Sequence, residues 1–225
     1  LQSIGFAVRT LSPTRLIIIF DGPGGSQRRR KIYKDYKGKR KPPKRPHRFQ
    51  EMDVENDKES MHRQINRLIE YLSNLPVAIV TIDNIEADDT IAYITESVLA
   101  DSKISIMSSD KDFLQLVSDR VSVWSPTKKI LYDRYRVQKE FEILCENMIY
   151  YRIVDGDKSD NITGIRGYAL KTILKKMPFL RDTNISNIED FIDKSGFKDH
   201  AQLLERNYKL MQLADVDISG SAKNK

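Results

Sequence analysis

Cysteine is nearly absent from this chain: Cys145 is the single one in 225 residues. That excludes an internal disulfide and suits a reducing compartment. Histidine is almost as scarce, with His47, His62 and His200 scattered along the sequence. One thiol and three dispersed imidazoles do not give the ligand spacing of a zinc site. Long apolar stretches are missing too. The longest, Leu16 to Phe20, falls far short of the roughly 20 residues that cross a bilayer. The chain opens on Leu1 with no signal-peptide pattern, and it holds no internal repeat or low-complexity tract. A cytoplasmic monomer with no membrane partner is the expectation.

What the chain does have is charge. Hydrophobic residues make up 40% and charged residues 31% of it, the balance of a soluble globular protein. Its length is enough for one or two packed domains. Between Arg28 and Arg48 there are twelve Lys or Arg and one acid, Asp35, a local charge of +11. Against the net charge of +6, the remainder therefore carries −5. A basic segment on a mildly acidic body is the footprint expected of a phosphate-binding surface. A solvated charged loop or a localisation signal would look the same in composition alone. Tyr33, Tyr36 and Phe49 lie among the bases, and aromatic rings can stack on unpaired bases.

The order of elements follows from apolar spacing. Residues 3–11 read as the end of a helix, and Leu16–Phe20 as a buried strand. A break at Gly22, Pro23, Gly24 and Gly25 precedes a basic helix from about Gln27 to Lys37. Pro42, Pro43 and Pro46 forbid its continuation. Helices are expected over Asp57–Leu75 and Asp88–Leu99, and strands over Val77–Ile82, Ile104–Met107 and Val121–Trp124. A short helix follows Asp112. From about Glu140 onward the pattern is helical with no clear strand. Alternation over the first 125 residues or so implies an α/β fold, a mostly parallel sheet flanked by helices, followed by a helical part. The expected division is 1–135 and 136–225.

The carboxylates fall where the strands end. Asp21 follows the first strand; Glu86, Asp88 and Asp89 follow the second; Asp110 and Asp112 follow the third. In an open parallel sheet the carboxyl ends of the strands share one edge, and ligands bind there. Asp157 and Asp160 open the helical part. An Asp after a strand is also a common helix cap or turn residue, and Asp88 and Asp89 could simply cap the next helix. Four such groups at four element ends argue for more than capping. So many carboxylates repel one another without a counter-charge. Oxygen ligands suit hard cations, Mg²⁺ or Mn²⁺. Two such ions roughly 4 Å apart can activate a water and stabilise a leaving oxygen in phosphodiester hydrolysis. Gly164 and Gly167, three apart, would let a backbone turn approach a phosphate, with Lys171 adding charge.

Phe20-Asp-Gly, Tyr36-Lys-Gly-Lys-Arg40, Glu86-Ala-Asp-Asp, Ser109-Asp-Lys-Asp, Gly156-Asp-Lys-Ser-Asp-Asn and Gly164-Ile-Arg-Gly occur in this order. As a set, over about Leu16 to Lys175, they resemble the flap endonuclease/5′→3′ exonuclease family. That family includes the nuclease domain of bacterial DNA polymerase I and the phage enzymes, and the short chain is most similar to the phage members.

The resemblance implies a PIN-like nuclease core with a helical arch over about 27–68 and a helix–three-turn–helix over about 160–175. It implies a first metal site of Asp21, Glu86, Asp88 and Asp110 with Asp89 nearby, and a second of Asp112, Asp157 and Asp160. Lys37 and Arg40 would reach the scissile phosphate and Tyr36 would stack near the displaced base. Arg28, Arg29, Arg30 and Lys34 would hold nucleic acid, and Gly164, Gly167 and Lys171 would grip the duplex. Two Mg²⁺ or Mn²⁺ ions are implied, with K⁺ in the turn. The partners implied are DNA with a 5′ flap or 5′ end, or an RNA–DNA hybrid, and replication proteins.

Two departures stand out. Nothing before Leu16 supplies the strand and Asp with which the family opens, so an alternative is a DNA-binding module with impaired cleavage. The family's Gly-Ile-Gly turn is here Gly167-Tyr168-Ala169, and Ala would raise the cost of a positive φ there. A toxin-type PIN-domain ribonuclease would share the acidic edge but needs neither arch nor turn.

Overall fold

Runs of β-branched and aliphatic residues make the two strands of a parallel pair. β1 (Leu16–Phe20) lies beside β2 (Val77–Thr81), with Leu16 opposite Val77 and Phe20 opposite Thr81. The computed structural model describes residues 1–39 and 55–215. Arg40, Pro42, Pro43, Pro46, His47 and Phe49 lie outside the described residues, as does the middle of the expected arch. Helix α1 (Gln2–Leu11) precedes β1, α2 (Gln27–Ile32) follows it, and α3 (Glu55–Ser73) leads into β2.

The loops after β1 and β2 lie against each other. Gly22 N–H donates to Ile85 O at 3.0 Å, and Asn84 N–H donates to Pro23 O at 2.8 Å. A Cβ on Gly22 would lie 1.7 Å from Ile82 O, so only glycine fits. This approach brings Asp21 to the start of α4 (Ala87–Tyr93), where its Oδ1 accepts from Ala87 N–H at 2.8 Å. Helix α4 continues into a π-helical turn, Ile94–Val98.

A second sheet has the order β3 (Ile104–Met107), β4 (Val121–Ser125), β5 (Ile130–Tyr132). β3 and β4 are parallel, while β5 returns antiparallel to β4. The three-residue β5 escapes the hydrophobic pattern because Leu131 points outward and only Tyr132 is buried. A 3₁₀ turn, Lys111–Leu116, joins β3 to β4 and buries Phe113, Leu114 and Leu116.

The remainder is mostly helical: α5 (Arg134–Phe141), α6 (Met148–Asp155), α7 (Leu170–Lys176), α8 (Ile188–Ser195) and α9 (Ala201–Met211). Helix starts are legible as caps: Asp133 accepts from Arg136 N–H at 2.7 Å, and Asn187 accepts from Asp190 N–H at 2.8 Å. A short antiparallel ribbon, β6 (Gly156–Asp157) with β7 (Ile162–Thr163), interrupts the helices and corrects the expectation of no strand here. Two residues per strand are too few to show a period of two.

Helix α6 is the spine of the core, with every residue from Met148 to Val154 buried. The ring of Tyr150 stacks on Phe191 at 4.9 Å. One buried cluster joins Ile106, Phe113 and Val123 to Ile153, Leu204 and Leu210. The cluster therefore spans both sides of residue 135. Each fully buried aliphatic side chain contributes about 1.5–3 kcal/mol.

Candidate metal centre

The carboxylates gather into two groups, each organised around a buried arginine. In the first, Glu86 and Asp89 lie at the head of α4 with side chains 3% and 4% exposed. Arg29 of α2 reaches both. Its Nη1 donates to Glu86 Oε2 at 2.5 Å and Asp89 Oδ2 at 2.6 Å, and its Nη2 donates to Asp89 Oδ1 at 2.7 Å. Lys37 Nζ donates to Glu86 Oε1, and the Tyr36 hydroxyl donates to Glu86 Oε2 at 3.2 Å. Burial works against the Arg29 cation, but the bonds and charges of Asp89 and Glu86 outweigh it and raise its pKa. Burial, opposed by Arg29 and aided by Glu86, raises that of Tyr36.

In the second group, Asp110, Asp112 and Asp157 each offer an oxygen, all within 4.8 Å of one another. Asp110 caps the 3₁₀ turn, accepting from Asp112 N–H at 2.9 Å. Arg152, from the middle of α6, donates through Nε to Asp112 Oδ1 at 2.6 Å and through Nη2 to Asp157 Oδ2 at 2.7 Å. Burial lifts the Asp112 carboxyl to about 7 against the pull of Arg152, with Asp110 adding to the rise. Burial and then Asp110 lift Asp88 to about 6, with Lys37 and Arg29 opposing. Asp88 thus feels the charges of both groups. For Asp157 burial acts upward. The Ser159 hydroxyl, the Arg152 guanidinium and the backbone N–H groups of Asp160 and Ser159 outweigh it and hold its pKa low.

The second group fits a hard cation: three converging carboxylate oxygens and no softer donor among them. Around it lies a cavity of about 560 Å³ lined by Ser109, Asp110, Lys111, Arg152, Asp157 and Ser159, among others. Asp160 stands at the edge of the same hairpin. Its carbonyl accepts from Lys37 N–H at 2.9 Å, and Asn161 Nδ2 donates to Asp35 O at 3.0 Å. The turn that carries Lys37 is therefore pinned to the segment that carries Asp157.

Several expectations need correction. Arg29 is 5% exposed and ion-paired, so it holds carboxylates rather than meeting nucleic acid on the surface. Tyr36 is 3% exposed with its hydroxyl on Glu86, so its ring is packed in the core rather than offered to a base. Arg30 and Lys34 are exposed and Arg28 is half-buried. Gly164 packs on the end of α6, where a Cβ would lie 2.3 Å from Val154 O. Gly167 is exposed with φ +87°, and Lys171 is exposed on α7. Ala169 has φ −77° and heads α7 in an extended conformation, so the alanine carries no positive-φ cost. The turn is preceded by β7 rather than directly by a helix.

The carboxylate pattern does not single out Arg152. The available signal was one arginine within the otherwise apolar run Met148–Val154, just ahead of Asp155-Gly-Asp; a buried cation needs anionic partners.

The fold and the carboxylate edge define a class, a resolvase-like α/β domain with an acidic site. A family model described as the 5′-3′ exonuclease N-terminal resolvase-like domain matches residues 1–142. The chain belongs to that family. It is 34% identical over 217 residues to a 5′-3′ exonuclease of Aquifex aeolicus (strain VF5), covering 94% of this chain and 69% of that protein. It is 28% identical over 219 residues to a flap endonuclease Xni of Shewanella pealeana, covering 94% and 78%. The T5 D15 protein co-crystallised with metal ions shares its fold, with a TM-score of 0.70, 22% identity and coverage of 95% of this chain and 79% of that one. Among the described residues, no helix is long and apolar enough to cross a membrane.

Proposed function

We propose that this chain is a structure-specific 5′ nuclease, a flap endonuclease and 5′→3′ exonuclease that hydrolyses phosphodiester bonds with divalent cations. The observation that carries the reading is the convergence of Asp110, Asp112 and Asp157 within 4.8 Å, with Asp88 electrostatically coupled to Asp110. Asp112, Asp157 and Asp160 would hold one ion, and Asp21, Glu86, Asp88 and Asp110 the other, with Asp89 close by. When bound, Mg²⁺ or Mn²⁺ supplies an activated water and stabilises the leaving oxygen. The chain's own groups do the rest. Arg152 and Arg29 keep like-charged carboxylates together. Lys37, 14% exposed beside Glu86, would meet a phosphate at the rim, and Arg40, outside the described residues, would share that role. Exposed Arg30, Lys34 and Lys171 and half-buried Arg28 would meet the backbone, which positions a duplex without reading sequence. Gly167 would let the turn before α7 approach a phosphate. K⁺ in that turn, RNA–DNA hybrids as substrate and replication proteins as partners belong to the same proposal.

The test is cleavage of a 5′-flap duplex with Mg²⁺ or Mn²⁺, with EDTA and Asp112→Asn as controls. Metal-dependent cutting near the junction, lost in both controls, is the expected result. Tight binding without cutting would favour the binding-module alternative.

A further inference from the structure

The end of α9 presents a hydrogen-bonding problem whose solution involves both carboxylate groups. The last carbonyls of a helix have no partner within it. Here Leu210, Met211 and Leu213 are 2–3% exposed, so those groups cannot rely on bulk water. Leu210 O accepts from Arg29 Nε at 2.8 Å, the same arginine that bonds Glu86 and Asp89. Met211 O accepts from Gln115 Nε2 at 3.0 Å. Gln115 sits three residues after Asp112, and its Nε2 also donates to Asp112 O at 2.8 Å. Its Oε1 accepts from Leu213 N–H at 2.9 Å. The amide of Gln115 therefore has both donors and its acceptor engaged, one on the last residue of α9 and one just past it. One turn earlier, Asn207 Nδ2 donates to Ile153 O and Thr163 O, both at 2.9 Å, fastening α9 to α6 and β7.

We propose that the C-terminal end of α9 is the common anchor of the two carboxylate groups, with Gln115 the positioning residue that holds the Asp110–Asp112 turn to it. The proposal rests on the metal-centre reading and extends it to residues that touch neither metal nor substrate. Two features of the geometry support it beyond simple packing. The cation of Arg29 stands at the negative end of the α9 dipole, where a positive charge is favoured. The Gln115 amide spans the two segments with three bonds, so shifting α9 shifts the turn that aims Asp110 and Asp112. Groups that orient ligands in this way typically cost 10–100-fold in metal affinity or activity when removed.

The experiment uses the full chain and two variants, Gln115→Met, which keeps length and loses all three bonds, and Gln115→Lys, which keeps donors toward both carbonyls. Mn²⁺ affinity is measured by calorimetry without DNA, and kcat and KM are measured on a 5′-flap duplex across Mn²⁺ concentrations. Gln115→Met is expected to weaken Mn²⁺ about 10–100-fold. It should also lower kcat at limiting Mn²⁺, with part regained at high Mn²⁺ and KM for DNA unchanged. Gln115→Lys is expected to recover most of the affinity. A lower melting temperature with unchanged Mn²⁺ affinity and kcat would overturn the inference, leaving Gln115 a packing residue. Should Gln115→Met fail to fold, Gln115→Glu, which keeps only the acceptor, is read against the same thresholds. If the unaltered chain itself binds no Mn²⁺, the metal-centre reading falls first and this inference with it.

Discussion

The two carboxylate groups face the same repulsion and meet it differently. Around Glu86 and Asp89 the protein closes completely. Both oxygens of each are bonded by Arg29, Lys37 or Tyr36, and the side chains are 3% and 4% exposed. Around Asp112 and Asp157, Arg152 holds one oxygen of each and Ser159 and the Asp160 N–H hold the other oxygen of Asp157, but the side chains are 21% and 16% exposed and oxygens converge with one from Asp110. A closed group uses its lone pairs to tie α2 and α4 together. An open one leaves Asp110 and Asp157 on the wall of a cavity where a cation can enter. In the metal-free chain the first group thus serves cohesion, and Glu86 would have to exchange Lys37 for a cation to join the site, while the second already converges beside a cavity.

The comparison is broken most directly at the open group. Asp112→Asn is expected to lower cleavage about a thousand-fold or more, since a displaced ion removes several kcal/mol of transition-state stabilisation at about 1.4 kcal/mol per tenfold. Binding of the flap duplex should survive; turnover like that of the unaltered chain would remove Asp112 from the metal centre.

Stability sharpens the contrast. Arg29→Leu strips buried Asp89 of its cation and leaves Glu86 with Lys37 and Tyr36 alone, and is expected to cost about 3–5 kcal/mol in urea unfolding of the metal-free chain. Arg152→Leu leaves Asp112 and Asp157 unpaired but already in reach of water and should cost about 1–3 kcal/mol. Equal losses would mean that the two groups are closed to the same degree.

Lys37→Ala probes the rim between them. If its charge meets the transferring phosphate, kcat falls by about two orders of magnitude. Weaker binding at unchanged kcat would make it an anchor only.

The smallest effect is in pH. Burial and neighbouring carboxylates hold Asp112 up to about 7 and Asp88 up to about 6. From the ordinary value of 3.8 up to about 7, the folded chain keeps a proton on Asp112 that the unfolded chain has released. Metal-free stability therefore falls as pH rises through that window and levels off above it. A cation must displace that proton, so the stabilisation by Mn²⁺ should grow from pH 5 to pH 8 by about 1–2 kcal/mol. Melting curves with and without the ion read this directly. A gain independent of pH would place the ion away from these carboxylates.

Much of the architecture was legible before any coordinates. The β-branched runs announced β1 to β4, and the acids fell at strand ends as expected. The ribbon of β6 and β7 was not legible, because its register comes from Gly156 packing against Gly164 rather than from alternating side chains. Arg29 and Tyr36 misled for a related reason. A run of bases reads as solvated surface, and nothing local distinguishes the one that turns inward. Gln115 and Asn207 look like ordinary polar residues until the long-range carbonyls they serve are seen.

The elements, the charge split and the residue types able to ligate a cation follow from local chemistry, because propensity, periodicity and titration are local. Long-range packing settles which carboxylates converge, which arginines hold them and which helix end they hang from. Those choices depend on contacts between residues up to 181 positions apart, such as Arg29 with Leu210. Folding brings such distant groups together, and their burial decides whether a charge is paired or left to bind.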